Sequence, residues 1–117
     1  MGKTRKLRFE AEENWPQLTN FTSAYLGESW SYDAGSPEAA VDQAVSEHSL
    51  ERRQAIAREW WDWNASAGSQ YDPRRHVNDG LGVNVHFKKP EDARAFMNTI
   101  YDKLVISIKS EVKGWKP

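Results

Sequence analysis

The amino-acid sequence predicts a mainly α, single-domain helical bundle of about four helices, and it allows one short strand or hairpin near residues 83–87. Three observations support this fold class. Apolar residues recur every three or four positions in four segments, which is the spacing of one helix face. Each segment begins at a serine or proline suited to a helix N-terminus. The chain of 117 residues is long enough for one domain and too short for two ordinary ones.

The first two predicted helices follow from their caps and their apolar spacing. One begins near Pro16, which suits a first helical turn, and ends at Gly27, because glycine commonly terminates helices. The next begins at Ser36 and Pro37, a capping hydroxyl followed by a first-turn proline. Both are predicted to bury one apolar face. The faces consist of Leu18, Phe21 and Tyr25 in the first helix and of Ala40, Val41, Ala44 and Val45 in the second.

Two longer helices are predicted in the second half of the chain. The third helix starts after Ser49, a capping residue, and ends by Gly68. The fourth begins at Pro90 and has the clearest periodicity in the sequence. The core sides consist of Ile56, Trp60 and Trp63 in the third helix and of Ala93, Phe96, Met97, Ile100, Tyr101, Leu104 and Ile108 in the fourth.

Two other segments are not predicted to be helical. Residues 1–14 are basic at first and then acidic, and we expect them to form a frayed extension of a helical domain that spans residues 15–117. Residues 69–82 are rich in turn formers. Residues 83–87 then alternate between apolar and polar side chains, which favours a short strand.

The charge of the chain is balanced overall but unevenly distributed. Residues 1–8 hold four bases and no acid, and residues 9–51 hold nine acids and neither lysine nor arginine. Residues 52–117 hold twelve bases and eight acids. The surface formed by this cation-free stretch is expected to have a negative electrostatic potential. Such a potential affects the binding of charged partners more than it affects the fold.

Composition excludes several classes of protein and site. Without cysteine there is no disulfide, thiolate metal site or cysteine nucleophile, which fits a cytoplasmic protein. The longest apolar run, residues 104–106, is far too short to cross a membrane. The three histidines lack the spacing of metal ligands, and we expect neither a metal nor a cofactor.

The acidic residues leave a second function open, that of a small carboxylate-dependent hydrolase or nuclease. Asp33, Asp42 or Glu47 would act with His48, and this chemistry requires a deep pocket with shifted pKa values. Glu38 and Asp42 lie four residues apart on one helix face, which brings carboxylates together without forming a cleft. A solvated acidic face is the commoner explanation of such a pattern.

The tryptophans raise a further alternative, a carbohydrate-binding module. That function predicts at least two coplanar, solvent-facing rings, and burial of Trp30, Trp60 and Trp63 would exclude it. Trp61 projects about 100° from Trp60 and about 160° from Trp63 on a helix. It therefore either packs under a loop or is a partly exposed interface anchor. Trp30 lies in the acidic stretch, which disfavours direct binding of nucleic acid there.

The sequence resembles a family of immunity proteins from contact-dependent growth inhibition systems. The resemblance is carried by residues 18–41, LTNFTSAYLGESWSYDAGSPEAAV, and by a second set of positions, and it covers roughly residues 15–108. It implies a small, mainly helical bacterial protein that binds and neutralises a toxin domain delivered by a neighbouring cell. The matching positions are Leu18, Phe21, Tyr25, Trp30, Tyr32, Ser36, Pro37, Glu38, Ala40 and Val41, then Tyr71, Asp72 and Pro73, and finally Ala93, Phe96, Ile100 and Leu104.

The resemblance and the charge distribution together predict an immunity protein that acts by stoichiometric binding and is not an enzyme. The expected partner is the C-terminal domain of a cognate toxin. We expect this toxin to be a nuclease, because the basic substrate cleft of a nuclease is complementary to an acidic face. We expect no direct contact with nucleic acid, with a membrane or with a small-molecule substrate. The residues predicted to bind the toxin are Glu28, Asp33, Glu38, Asp42, Glu47 and Trp61.

Overall fold

The computed structural model describes the backbone of residues 2–117 and the side chains of residues 4–117; Met1 lies outside it. This part of the chain forms six α-helices and no strand. A 3-10 turn, Ala67–Ser69, follows the fifth helix, and a π-helical turn, His76–Gly80, precedes the sixth. The helices are α1 Gly2–Asn14, α2 Pro16–Leu26, α3 Trp30–Asp33, α4 Pro37–Glu47, α5 Leu50–Ala65 and α6 Pro90–Lys109.

Four of these helices form a closed bundle around the core. α2 packs against α4, α4 against α6, α6 against α5, and α5 against α2. The mainly α fold class is therefore confirmed. The predicted total of about four helices is too low, because α1 and the short α3 lie outside this ring. The largest fully buried side chains of the ring are Leu18, Phe21, Leu26, Val41, Ile56, Met97, Ile100, Leu104 and Ile108.

The predicted helix starts agree with the structure. The Ser36 hydroxyl accepts a hydrogen bond from the Ala39 amide at 3.1 Å and caps α4. The Ser49 hydroxyl accepts one from the Arg52 amide at 3.3 Å and caps α5. α5 ends at Ala65, before the predicted glycine, because the chain tightens there into the 3-10 turn.

The N-terminal segment, which we expected to be frayed, is helical. α1 packs against α2 and the π-helical turn, and its Ala11 is buried. The Trp15 amide donates to the Ala11 carbonyl at 2.8 Å, and the Thr19 hydroxyl donates to the same oxygen at 3.0 Å. These bonds carry the helical path from α1 into α2. Periodicity did not reveal α1 because its apolar residues are too few to form a stripe.

α5 caps the N-terminus of α2 through a carboxylate distant in sequence. Glu59 accepts hydrogen bonds from the amides of Gln17 and Leu18 at 2.8 and 2.9 Å. The neighbouring Asp62 accepts one from the indole of Trp15 at 2.9 Å. Burial raises the pKa of Glu59, and the two backbone hydrogen bonds oppose that shift. The carboxylate lies where the dipole of α2 favours a negative charge.

The segment predicted as a possible strand has no strand partner among the described residues. Val83 and Phe87 are buried and Val85 is half-buried, as the pattern indicated, but the backbone bonds to a helix end and to a side chain. The Asn84 amide donates to the Leu26 carbonyl at 2.7 Å, at the end of α2. The Asn78 side-chain amide donates to the carbonyls of Val83 and Val85 at 2.8 and 2.9 Å. Such bonds satisfy an extended backbone without a second strand.

Substitution of Glu59 tests the cap between α5 and α2. Glu59→Ala leaves two partly buried amides without an acceptor, and we expect the free energy of unfolding to fall by about 1–3 kcal/mol. Glu59→Gln keeps an acceptor oxygen and serves as the control, with a loss of less than half that size. Chemical denaturation measures both, and equal losses for the two variants would contradict the capping role.

Candidate functional site

The acidic residues of α4 lie on its solvent face, and one of them is neutralised from another helix. Glu38 and Asp42 are both exposed. Asp42 accepts a hydrogen bond from the ammonium group of Lys103 in α6 at 2.7 Å. An exposed ion pair of this kind contributes at most about 1 kcal/mol to stability. Its larger effect is to reduce the negative charge at Asp42.

Glu47, at the end of α4, is held in place by two neutral side chains. It accepts a hydrogen bond from the Tyr25 hydroxyl of α2 at 2.6 Å and another from the Gln43 amide at 3.1 Å. The Tyr25 hydrogen bond is the main reason that the pKa of Glu47 is lowered, and it also raises the pKa of Tyr25. The two hydrogen bonds therefore favour the charged form of Glu47 and restrict the position of its carboxylate.

A pocket of about 330 Å³ lies between α2, α3 and α4. Its lining includes Tyr25, Trp30, Asp33 and Gln43. The Trp30 indole donates to the carbonyl of Asn84 at 2.8 Å, which ties α3 to the extended segment. Among the described side chains Asp33 forms no ion pair. The pocket therefore combines aromatic rings with an unneutralised carboxylate.

Glu28 lies beside a different opening. It lines a wider groove of about 590 Å³ together with Arg8, Asp79 and His86. Arg8 belongs to α1, and His86 belongs to the extended segment. This groove therefore has mixed charge, whereas the pocket beside Asp33 has no lysine or arginine in its lining.

Trp61 is exposed over 57% of its surface, so of the two predicted alternatives the structure excludes packing under a loop. Its ring centroid lies 6.0 Å from that of Tyr101, which in turn stacks on the buried Trp60 at 4.3 Å. On α6, Tyr101 and Lys103 project about 160° apart. Trp61 and Asp42 therefore flank α6 on opposite sides.

The geometry does not favour the two alternative functions. Trp60 and Trp63 are buried and Trp30 is half-buried, so these three rings do not form a solvent-facing platform for a carbohydrate. His48 places its Nδ1 atom 2.6 Å from the carbonyl of Ala44. In the pocket beside Asp33, the lining includes neither Asp42, Glu47 nor His48. The proposed catalytic groups therefore do not converge there.

Comparison with known proteins identifies the family. The profile of the CdiI immunity proteins matches residues 14–104. The chain belongs to this family. The matched span contains α2 to α5 and most of α6, which is the bundle described above. No curated protein and no solved structure matches the chain. In the described part of this immunity protein, no helix is long and apolar enough to cross a membrane.

One family-matching position of this CdiI protein, Asp72, has a clear structural role together with its neighbour Arg74. The Arg74 guanidinium binds the carboxylate of Asp72 at 2.7 Å and lowers the pKa of that carboxyl to about 2. Arg74 also donates to the carbonyls of Phe87 and Lys88, so it fastens this loop to the extended segment. These residues hold the scaffold together, whereas the carboxylates of Asp33, Asp42 and Glu47 are exposed.

Sequence reasoning missed the groups that control the acidic residues. Tyr25 was assigned to the core face of α2, yet its hydroxyl positions Glu47. Lys103 lies 61 positions from Asp42, so no local pattern could pair them. Only the hydrogen bond between Gln43 and Glu47 could have been predicted from the sequence, because a separation of four residues places both side chains on one helix face.

Tyr25→Phe tests the control of Glu47. Removing the hydroxyl donor is expected to raise the pKa of the Glu47 carboxyl toward its ordinary value of 4.5. A carbon-13 NMR titration of the carboxyl group measures this change. Tyr32→Phe, at a fully solvated ring of the same acidic stretch, is the control and should leave the pKa unchanged.

The same titration has a consequence for stability. Since the pKa of Glu47 is lower in the folded than in the unfolded chain, its stabilising contribution is present above pH 4.5 and is lost as the pH falls through the folded value. Tyr25→Phe should reduce this acid-dependent loss. An unchanged Glu47 pKa in that variant would contradict the assigned hydrogen bond.

Proposed function

We propose that this immunity protein neutralises a nuclease toxin domain of a contact-dependent growth inhibition system by forming a one-to-one complex with it in the bacterial cytoplasm. The observation that carries the proposal is the placement of the cation-free stretch. It runs from the end of α1 through α2, α3 and α4 to the start of α5, and its carboxylates on α3 and α4 are exposed to solvent. The proposed toxin-binding carboxylates are Asp33, Glu38, Asp42 and Glu47, together with Glu28, which lines the separate groove beside Arg8.

Electrostatic complementarity supports a nuclease as the target. A nuclease holds phosphate groups in its substrate cleft with basic side chains. An acidic face accelerates association with such a cleft and suppresses binding to acidic surfaces. The same face repels phosphate, so the immunity protein itself is expected to avoid nucleic acid.

Inhibition by binding requires no catalytic step. A nanomolar complex requires about 12 kcal/mol of binding free energy, typically with about 1,600 Å² of buried surface and a few aromatic or arginine anchors. We propose that the protein reaches this binding free energy through its contacts with the toxin domain and acts as a non-enzymatic inhibitor. This mode of action involves no cofactor, membrane contact or small-molecule substrate. Co-expression with the toxin domain encoded beside it tests this directly, since a stable one-to-one complex without toxicity is expected.

Reversal of two charges tests the acidic face. Asp42→Lys with Glu47→Lys should weaken binding of the toxin domain by about tenfold or more and reduce the dependence of affinity on salt, because two favourable charges become repulsive. Titration calorimetry at low and moderate salt measures both effects. The double variant also changes the net charge, so it needs a control.

The control reverses two exposed acids away from α3 and α4, Glu13→Lys with Glu91→Lys. It changes the net charge by the same amount and is expected to alter affinity much less. Unchanged affinity and unchanged salt dependence in the first variant would reject the acidic face as the binding surface. An equal loss in both variants would show that only net charge matters.

Trp61 is proposed as an aromatic anchor of the complex. Because Trp61 is largely exposed, Trp61→Ala should change the stability of the free protein little. If the toxin covers this ring, dissociation should accelerate by about 30-fold, as for a typical hot spot. Tyr71→Ala, at an aromatic side chain 94% exposed, is the control. An unchanged dissociation rate for Trp61→Ala would show that Trp61 lies outside the interface, and it would not contradict the role proposed for the acidic face.

A further inference from the structure

The pocket between α2, α3 and α4 has walls of two distinct kinds. Tyr25 and Trp30 supply aromatic rings, three alanines supply small apolar groups, and Asp33 and Gln43 supply polar groups. Its volume of about 330 Å³ is at the small end of the range for ligand pockets. The pocket is therefore suited to a single side-chain head group rather than to a large ligand.

The two rings are held in place before any ligand arrives. The Trp30 indole N–H is bonded to the carbonyl of Asn84, and the Tyr25 hydroxyl is bonded to Glu47. Tyr25 also packs against His48, with ring centroids 5.6 Å apart. Because the polar atoms of both rings already have partners, the rings offer a ligand their π systems and apolar edges.

The charge beside the pocket is negative and uncompensated. Asp33 lines it and forms no ion pair with any described side chain. Glu47 accepts hydrogen bonds from two of the lining residues, Tyr25 and Gln43, and these bonds lower its pKa by favouring its charged form. Asp42, the next acid of this face, differs because Lys103 already neutralises it.

Fixed aromatic rings next to a carboxylate recognise a cationic head group. A guanidinium or ammonium ion is attracted to the face of Trp or Tyr, and more strongly when it is desolvated. Arginine additionally stacks on aromatic planes and donates in a forked geometry to a carboxylate. An anion would be repelled by Asp33 and Glu47, and a purely apolar group would leave Asp33 without a partner.

We propose that this pocket receives an arginine or lysine side chain of the cognate toxin. Asp33 lines the pocket, and two lining residues hold Glu47; both carboxylates are assigned above to the toxin, so the occupant comes from the same partner. This inference rests on the proposed function. It adds one specific contact to the long-range electrostatic attraction between the acidic face and the basic toxin. Asp33 is the charged partner of the toxin side chain, and Tyr25 and Trp30 enclose its stem and head group.

Asp33→Asn tests the anchor with little change of shape. In a titration against the toxin domain at constant salt, we expect the affinity to fall by about 30-fold, mostly through faster dissociation, because the toxin cation is left without its partner. Asp102→Asn is the matched control, since Asp102 is also exposed and, among the described side chains, unpaired. It should change the affinity less than twofold.

A second measurement tests the pocket without the toxin. Argininamide is added to the isotopically labelled immunity protein, and the Trp30 indole and the Ala34 and Ala40 amides are followed by NMR. We expect shifts that saturate with argininamide, that are absent with its neutral isostere citrullinamide, and that disappear in Asp33→Asn. Equal shifts with both compounds, or none with argininamide, would overturn the assignment.

The two measurements separate failure of this inference from failure of the proposed function. If the wild type binds the toxin domain and Asp33→Asn binds it equally well, the anchor is rejected and the function stands. If the wild type does not bind the toxin domain, the proposed function and the toxin as occupant are both rejected. The argininamide titration then still decides whether the pocket selects a cation.

Discussion

The contact between Glu59 of α5 and the N-terminus of α2 links the stability of this protein to its acidic face. α2 begins at Pro16 without a capping side chain of its own, and Glu59 accepts its first two free amides. This bond fixes α2 along α5, while Thr19 ties the start of α2 to α1. α2 in turn presents Tyr25 to α4, where the tyrosine hydroxyl positions Glu47. The placement of one exposed carboxylate thus depends on the capping of a helix at its opposite end.

The acidic residues of the cation-free stretch are chemically unequal in the folded protein. Asp42 is paired with a lysine, and Glu47 is held by neutral donors that lower its pKa. Asp33 borders a pocket and has no cationic partner among the described residues. An immunity protein of the CdiI family must bind its toxin specifically, and a uniform negative field does not by itself distinguish one basic protein from another. The unequal environments of these carboxylates provide the means for such discrimination.

Much of the fold could be predicted, because the main helices are specified by local features. Serine caps, first-turn prolines and apolar spacing located α2, α4, α5 and α6. α1 escaped detection because Ala11 is the only one of its described side chains that is buried, which leaves no periodic apolar stripe. The alternation in residues 83–87 correctly indicated which side chains are buried. It did not indicate that the backbone partners would be Asn78 and the end of α2.

The sequence by itself determined the fold class, the starts of the main helices, the family and the existence of an acidic stretch, because each depends on residues close together in the chain. The tertiary structure alone decided which acid pairs with a lysine and which lines a pocket. Those properties depend on contacts between residues 22 and 61 positions apart, such as Tyr25 with Glu47 and Lys103 with Asp42. It also decided that Trp61 is exposed. Helix geometry alone places this ring away from the core side of α5, but only the packing of α5 against α6 shows that Tyr101 lies beside it and leaves most of it open to solvent.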